Sequence, residues 1–365
     1  MKSLLLITII FIGAFYSSAQ KNDSVLALKH FALFQDFEYE DSLKARVHVD
    51  SGLYYAKRSN SPHLIGLAYQ FQGWFLQDKS FYQQSNDAFF KALDFFERAN
   101  DQQGVANMYG NIGNSYLDIN DFENSLDYQF LSLKENEKIL ENEVSGDAYD
   151  NAVEGKTYAL HNIGSIYAEV KLYDLALKYE YESLEFEKKV GHKIDVAISY
   201  NTLGAIYKAK SIRDSAEYYF KQAIEIYKIE SYPYGYSSSL QTYASMDSTS
   251  LSKGKRMKMF AEALRIRKEI GDVDFEARVY LDIIDVGMNA LSADSVQTVL
   301  VHVHDIIEEN GFVDLKWKYY QLKAKHLSRM GNYKEAFETI KKSIDYEEKT
   351  NNKKKQQDLA TKEIR

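Results

Sequence analysis

The sequence repeats itself with a period of forty residues, and this period constrains the fold more than any other feature. One small or apolar residue marks the same point of each period, and successive markers are 40, 51, 40, 40, 40 and 40 residues apart. The markers are Gly73, Gly113, Gly164, Gly204, Ala244, Ile284 and Ala324. Such a period is typical of repeat proteins, in which each unit packs only against its neighbours. One further period fits upstream around Leu33, so we expect about eight repeats.

Each period predicts two helices joined by a short turn. Residues at i, i+3, i+4 and i+7 share one face of a helix, and one such set is Tyr200, Leu203, Gly204 and Tyr207. The same spacing continues on a second helix from Ala216 to Tyr227. Residues 210–214 form the polar turn, with Asp214 or Ser215 expected to cap the helix that follows. The glycine predicts that the two helices cross closely.

Three segments resemble the first helix of tetratricopeptide repeats: YGNIGNSY at 109–116, LHNIGSIY at 160–167 and YNTLGAIY at 200–207. Three others resemble the start of the second helix: FENSL at 122–126, YDLAL at 173–177 and YKEAF at 333–337. The resemblance covers nearly all of residues 24–345. The period is 40 instead of about 34 residues, and the proline that often closes a repeat is missing. Both departures are similar to the kinesin-light-chain-like branch and imply longer second helices. The resemblance implies an all-α solenoid, wound as a right-handed superhelix with a concave groove.

The first nineteen residues have the pattern of a signal peptide. Lys2 supplies a positive charge, residues 4–15 are almost entirely apolar, and Ser17 and Ala19 are small residues at the two positions that a signal peptidase reads. Cleavage after Ala19 would make Gln20 the first residue. An uncleaved anchor is the alternative, although the apolar run is shorter than the roughly 20 residues that span a bilayer. We expect a periplasmic or secreted protein whose mature chain does not span the membrane.

The chain is therefore predicted to have three parts: a signal peptide at 1–19, a solenoid at 20–345 and a solvated or frayed helical tail at 346–365. The 51-residue spacing adds 11 residues near 141–156. They can be interpreted as a longer helix end with a solvated loop, or as a lid over the groove.

Composition excludes several classes of function. The net charge is −8, which argues against a nucleic-acid-binding protein. The chain has no cysteine, so disulfides and thiolate sites are excluded. The sequence lacks the phosphate-binding, dinucleotide-binding, zinc-protease and serine-hydrolase patterns. His302 and His304 point to different sides of a helix and are not expected to share a metal ion. We therefore predict no enzyme, no catalytic residue, no cofactor and no metal site.

The face of each first helix opposite its packed face is predicted to bind a partner. On a helix with about 100° per residue, this face holds the positions six and two before each marker and one and five after it. In the resembled family the same face lines the groove. The predicted peptide-binding residues are Phe71, Trp74, Asn107, Asn111, Asn114, Tyr158, Asn162 and Thr202. Asp78, Asp118 and Glu169 lie nearby in this register and should favour a neutral or basic segment.

Two functions remain open from the sequence. The first is an exported scaffold that binds a protein or peptide segment in its concave groove. The second is a periplasmic sensor or input module of a split or truncated histidine kinase or transcription regulator, with a membrane-anchored kinase as a partner. The second follows from a resemblance to the sensor regions of Bacteroidetes-type signalling proteins.

Overall fold

The computed structural model of the protein describes residues 2–37, 41–79, 81–142, 145–246 and 251–350. Across these residues the chain forms sixteen α-helices, one 3₁₀ turn at Val313–Leu315 and no strand, which confirms the predicted all-α repeat fold. The helices are α1 (Lys2–Phe37), α2 (Ser42–Ser59), α3 (Pro62–Asp78), α4 (Tyr82–Arg98), α5 (Gln102–Asp118), α6 (Phe122–Glu141), α7 (Asp147–Glu169), α8 (Tyr173–Val190), α9 (Lys193–Ala209), α10 (Arg213–Ile229), α11 (Pro233–Ala244), α12 (Lys253–Ile270), α13 (Val273–Gly287), α14 (Ala293–Asn310), α15 (Lys316–Arg329) and α16 (Tyr333–Thr350).

The helices pack in sequence order within two compact units, residues 1–166 and residues 167–365. In the first unit, α1 packs on α2, α3 on α4 and α5 on α6, and α3 also contacts α1 and α5. In the second unit, α9 packs on α10, α11 on α12 and α15 on α16, while α9 contacts α11 and α13 contacts α15. Each unit is thus a stack of helix pairs in which the first helices of successive pairs also touch.

The small residues of the period lie where the two helices of a pair cross. A Cβ atom added at Gly204 would come within 2.9 Å of the Phe220 ring. A Cβ atom at Gly73 would overlap the ring of Phe89 in the same way. Both phenylalanines are completely buried. The predicted close crossing is confirmed, because any larger side chain would push the second helix away.

Several short turns between the helices contain a residue in the left-handed region, and the two prolines, Pro62 and Pro233, each begin a helix directly after such a turn. The positive-φ residues that are not glycine are Asn60, Asn100, Asn120, Lys171, Ser211 and Ser231, and each follows the end of a helix. The turn after α9 ends at Ile212, so α10 begins at Arg213, and no side chain caps it. The prediction that Asp214 or Ser215 caps this helix is wrong, because Asp214 lies inside the first turn, where its charge favours the helix dipole.

The extra residues near 141–156 lengthen two helices. Helix α6 has 20 residues and α7 has 23, compared with 17 in α5 and in α9. The longer-helix interpretation of the insert therefore accounts for most of it. The added turns lie at the start of α7, from Asp147 on, and they supply part of a cleft described below.

The predicted signal peptide and tail lie at the limits of the described chain. Helix α1 runs through the expected cleavage point after Ala19, and the side chains before Gln20 lie outside the described residues. Among the described residues, no helix combines the length and apolar character that a membrane crossing needs. Helix α16 extends to Thr350, and the predicted tail beyond it lies outside the described residues.

Candidate functional site

A cleft of about 420 Å³ opens in the first unit between α3, α5 and α7. It unites six of the predicted binding residues: Trp74, Asn107, Asn111, Asn114, Tyr158 and Asn162. The other residues that line it are Gln70, Gly110, Gln129, Ser132, Asn151, Glu154, Gly155 and Ala159. Five of the lining side chains are asparagines. Their spacing explains the grouping, since helical residues four and seven positions apart share one face.

A network of side-chain amides joins three helices across the floor of the cleft. Asn114 Oδ1 on α5 accepts hydrogen bonds from Gln129 Nε2 on α6 at 2.8 Å and from Asn162 Nδ2 on α7 at 2.9 Å. At the other end, Asn107 Oδ1 accepts from Gln103 Nε2 at 3.0 Å. Because each amide carries both donors and an acceptor, this network still has polar groups to offer a ligand.

Asn111 lies at the centre of the lining of α5 without an intramolecular partner. Its half-buried side chain makes no hydrogen bond to any described residue. The neighbouring Asn114 and Asn162 direct their bonds at each other, whereas Asn111 keeps a donor and an acceptor unused. Asn111 can therefore offer both a donor and an acceptor to a polar ligand in the cleft.

Aromatic side chains form the apolar part of the cleft. Trp74 is half-buried and Tyr158 is 54% exposed. Phe71 does not line the cleft as the sequence predicted, because only 8% of it is exposed and it belongs to the core around α1. Its ring stacks on Phe31 at 4.9 Å and meets Trp74 edge to face at 5.2 Å. Phe71 therefore supports the indole of Trp74 from behind.

The cleft has little charge. Glu154 on α7 is its one acidic lining residue, and no lysine or arginine lines it. Asp78 and Asp118, predicted to give the groove an acidic edge, are not lining residues. Burial raises the pKa of both carboxyls, although a hydrogen bond of 2.6 Å from Gln77 Nε2 opposes the increase at Asp118. Glu169 belongs to the second unit.

The remaining predicted residue, Thr202, lies half-buried on α9 in the second unit. Helices α13 and α15 of that unit carry opposite charges that pair with each other. Lys318 on α15 bonds to Asp282 on α13, and Lys325 Nζ lies 3.0 Å from Asp285 Oδ1. These charges on α13 and α15 are therefore largely neutralised within the protein.

Sequence reasoning missed Gln129 and Glu154, which the structure adds to the cleft. Gln129 is on a second helix, and the predicted groove used first helices only. A sequence signal for it exists, because three other periods carry phenylalanine at the same position, although the period of Gly164 carries Glu180. Glu154 comes from the insert that lengthens α7.

Comparison with known families agrees with the helix pairs described above. The protein-family model described as tetratricopeptide repeat matches residues 157–229, which contain the markers Gly164 and Gly204. Residues 157–229 are thus similar to tetratricopeptide repeats. The resemblance identified from the sequence is confirmed. No curated protein matches the chain in sequence.

Solved tetratricopeptide-like structures share the fold at low sequence identity. The apo form of the quorum sensor NprR from B. thuringiensis is 17% identical with a TM-score of 0.68, covering 89% of this chain and 87% of that one. Aspartyl phosphate phosphatase F from Bacillus subtilis is 14% identical, with a TM-score of 0.64 and coverages of 90% and 94%. A Rap protein complexed with competence and sporulation factor is 15% identical, with a TM-score of 0.63 and coverages of 90% and 98%. At these identities the likeness shows the fold alone.

Proposed function

We propose that this tetratricopeptide-repeat protein is a scaffold that binds an extended segment of a peptide or protein in the amide-lined cleft. Asn111 carries the proposal, since its unpartnered amide lies among four other asparagines in the same cleft. A row of amides can bond to a peptide backbone whatever the ligand's side chains are. Trp74 adds the kind of aromatic surface that anchors a partner at many interfaces.

Peptide binding by proteins of similar fold supports the proposal. The Rap protein was solved with competence and sporulation factor, and NprR, with a TM-score of 0.57 in that state, was solved with its cognate peptide NprX. The ligands belong to those proteins. This chain shares the fold with them. The amides that line its cleft support a peptide ligand independently of that likeness.

The electrostatics of the cleft favour a neutral or basic segment. Glu154 contributes a negative charge, and the lining has no cation that could pair with an acidic ligand. Like charges that face each other across an interface lower the affinity and so select against a partner of that charge. An acidic peptide should therefore bind less tightly than a basic peptide of the same length.

The test is the single substitution Asn111→Ala in the mature protein. A library of heptapeptides blocked at both ends is screened by fluorescence anisotropy, and the tightest binder is titrated against each variant. We expect Asn111→Ala to weaken binding at least tenfold, about 1.4 kcal/mol. Its free energy of unfolding should stay within about 1 kcal/mol of wild type, because no intramolecular hydrogen bond is lost.

Gln83→Ala is the matched control, since it removes an exposed amide from α4 outside the cleft lining. It should leave both affinity and stability unchanged. A folded Asn111→Ala protein that binds the peptide as tightly as wild type would contradict the proposed site. Recovery of a membrane-anchored kinase from cell extract would instead favour the sensor-module function.

We further propose that the protein is exported and that its mature chain starts at Gln20. Removing nineteen residues would leave 20–37 of α1, which is 37 − 19 = 18 residues, equal to the 18 of α2. This part of α1 packs on α2. Asp23 bonds to Arg58 Nε at 3.1 Å, and Phe31 packs against Gly52. The trimmed helix would keep these two contacts with α2.

A further inference from the structure

One core position of the repeat changes character at the cleft. Sixteen residues after the small marker, three repeats carry a completely buried ring, Phe89, Phe220 or Phe260, whereas the repeat of Gly164 carries the buried Glu180. The corresponding residue after Gly113 is Gln129, which is only 1% exposed. A polar amide in place of a buried aromatic ring costs folding free energy unless it is fully bonded. The hydrogen bonds that Gln129 makes therefore decide what it contributes to the cleft.

The hydrogen bonds of Gln129 fix which way its amide points. Its Nε2 donates to the backbone carbonyl of Gly110 at 3.2 Å and to Asn114 Oδ1 at 2.8 Å. A backbone carbonyl only accepts, so this end of the Gln129 side chain must be the NH₂ group. The missing side chain of Gly113 makes the approach possible, because a Cβ there would lie 2.7 Å from the same nitrogen.

The orientation of Gln129 determines the orientation of Asn114. An NH₂ group that faces Asn114 requires an acceptor, so Asn114 presents Oδ1 to it. Asn162 Nδ2 donates to the same oxygen at 2.9 Å. The Nδ2 group of Asn114 therefore lies at the other end of the amide, and it donates to no described residue.

We propose that Gln129 is a positioning residue that fixes Asn114 as a double hydrogen-bond donor, so that the cleft selects a ligand with an acceptor oxygen at this point. The inference rests on the proposed function and makes it more specific. Asn162 donates a hydrogen bond from its NH₂ group to Asn114, and its Oδ1 stays available as an acceptor for the ligand. One donor beside one acceptor matches the C=O and N–H of a single peptide unit.

The experiment replaces Gln129 by residues that pack but cannot donate. Gln129→Phe introduces the ring found at Phe89 and Phe220, and Gln129→Leu is a smaller second variant in case the ring does not fit. Each is titrated with the blocked heptapeptide that binds wild type most tightly, and each is melted. We expect affinity to fall at least tenfold while the melting temperature of at least one variant stays at or above the wild-type value.

Loss of binding without loss of stability separates positioning from a purely structural role. Phe220→Leu, at the same repeat position in the second unit, is the control: it should lower the melting temperature and leave affinity unchanged. Wild-type affinity in a folded Gln129→Phe or Gln129→Leu protein would overturn the inference, and if Asn111→Ala still weakened binding, the proposed function would survive. A wild-type protein that binds no member of the library would overturn both.

Discussion

Glu187 of α8 is a carboxylic acid buried among the helices of the second unit. It is 2% exposed, and its Oε1 accepts hydrogen bonds from Ser183 Oγ at 2.7 Å and Ser199 Oγ at 3.0 Å. Its Oε2 has no hydrogen-bond partner among the described residues. Burial raises the pKa of Glu187, and the charge of Asp195 acts in the same direction, while the two serine hydroxyls oppose them. At the scale of single residues, the fold thus tolerates a polar group that weakens it at neutral pH.

Glu187→Gln should stabilise the protein near neutral pH. In the wild-type protein, a raised pKa means that native Glu187 holds a proton that the unfolded state releases. The stability that this proton contributes to the wild-type protein is complete below about pH 4.5 and is lost as the pH rises through the raised pKa. Glutamine keeps the acceptor for both serines and cannot ionise. We expect a gain of about 1 kcal/mol or more at pH 7.5 that shrinks towards pH 4.5.

Thermal melts at the two pH values check this prediction. The control is Glu185→Gln, two residues away on the exposed face of α8, which should change stability little at either pH. A gain of equal size at pH 4.5 and pH 7.5 would show that ionisation of Glu187 is not the cause.

Helix crossings set the geometry at the scale of elements. Where the marker is Gly73 or Gly204, the partner helix places a phenylalanine ring directly on the glycine. Where it is Gly113, the partner is Gln129, and the close contact serves the cleft as well as the packing. The same backbone arrangement therefore accepts an apolar or a polar contact, depending on which residue faces the glycine.

Gly204→Leu should separate α9 from α10. A Cβ already lies within 2.9 Å of Phe220, so a leucine overpacks the crossing at a cost of about 1–3 kcal/mol. Because each repeat packs only on its neighbours, we expect the melting transition to broaden and not to disappear. Circular dichroism melts measure both effects.

Gly254→Leu is the matched control for this substitution. Gly254 lies in the first turn of α12, and a Cβ there would have no neighbour within 4 Å. Its melting curve should stay close to that of wild type. If both glycine variants melted like wild type, the assignment of the packed face of α9 would be wrong.

At the largest scale, the first helix of the first unit begins inside the predicted signal peptide. Four buried residues of α1 follow the expected cleavage point: Asp23, Ala27, Phe31 and Phe34. A helix cut after residue 19 would keep these four residues.

Export predicts a specific mature mass. Protein expressed from the full sequence in a bacterium with a periplasm should appear in that compartment with Gln20 as its first residue, or one within a few positions of it. Intact-mass spectrometry of the periplasmic fraction measures this. Ala19→Arg places a large charged residue at the cleavage position and should block processing there. Wild-type protein that retains Met1 in the periplasmic fraction would contradict the prediction.

The sequence by itself determined the helix pairs, their order and the faces that pack. These follow from short-range spacing: the markers forty residues apart fix the crossings, and residues such as Tyr200 and Gly204 define one face of a helix without knowledge of the rest of the chain. The same reasoning placed Asn107, Asn111 and Asn114 together, because they share a face of one helix. Asn162 joined them because its repeat stands in the same register.

The tertiary structure decided what each of those side chains does. Phe71 and Asn111 occupy equivalent positions of their repeats, yet Phe71 is buried because Phe31 of α1 packs against it, whereas Asn111 faces the open cleft. The donor direction of Asn114 depends on Gln129, a residue of another helix whose own orientation is set by a backbone carbonyl. Period and spacing describe one helix at a time, while the hydrogen-bonding character of the cleft arises from contacts between α5, α6 and α7.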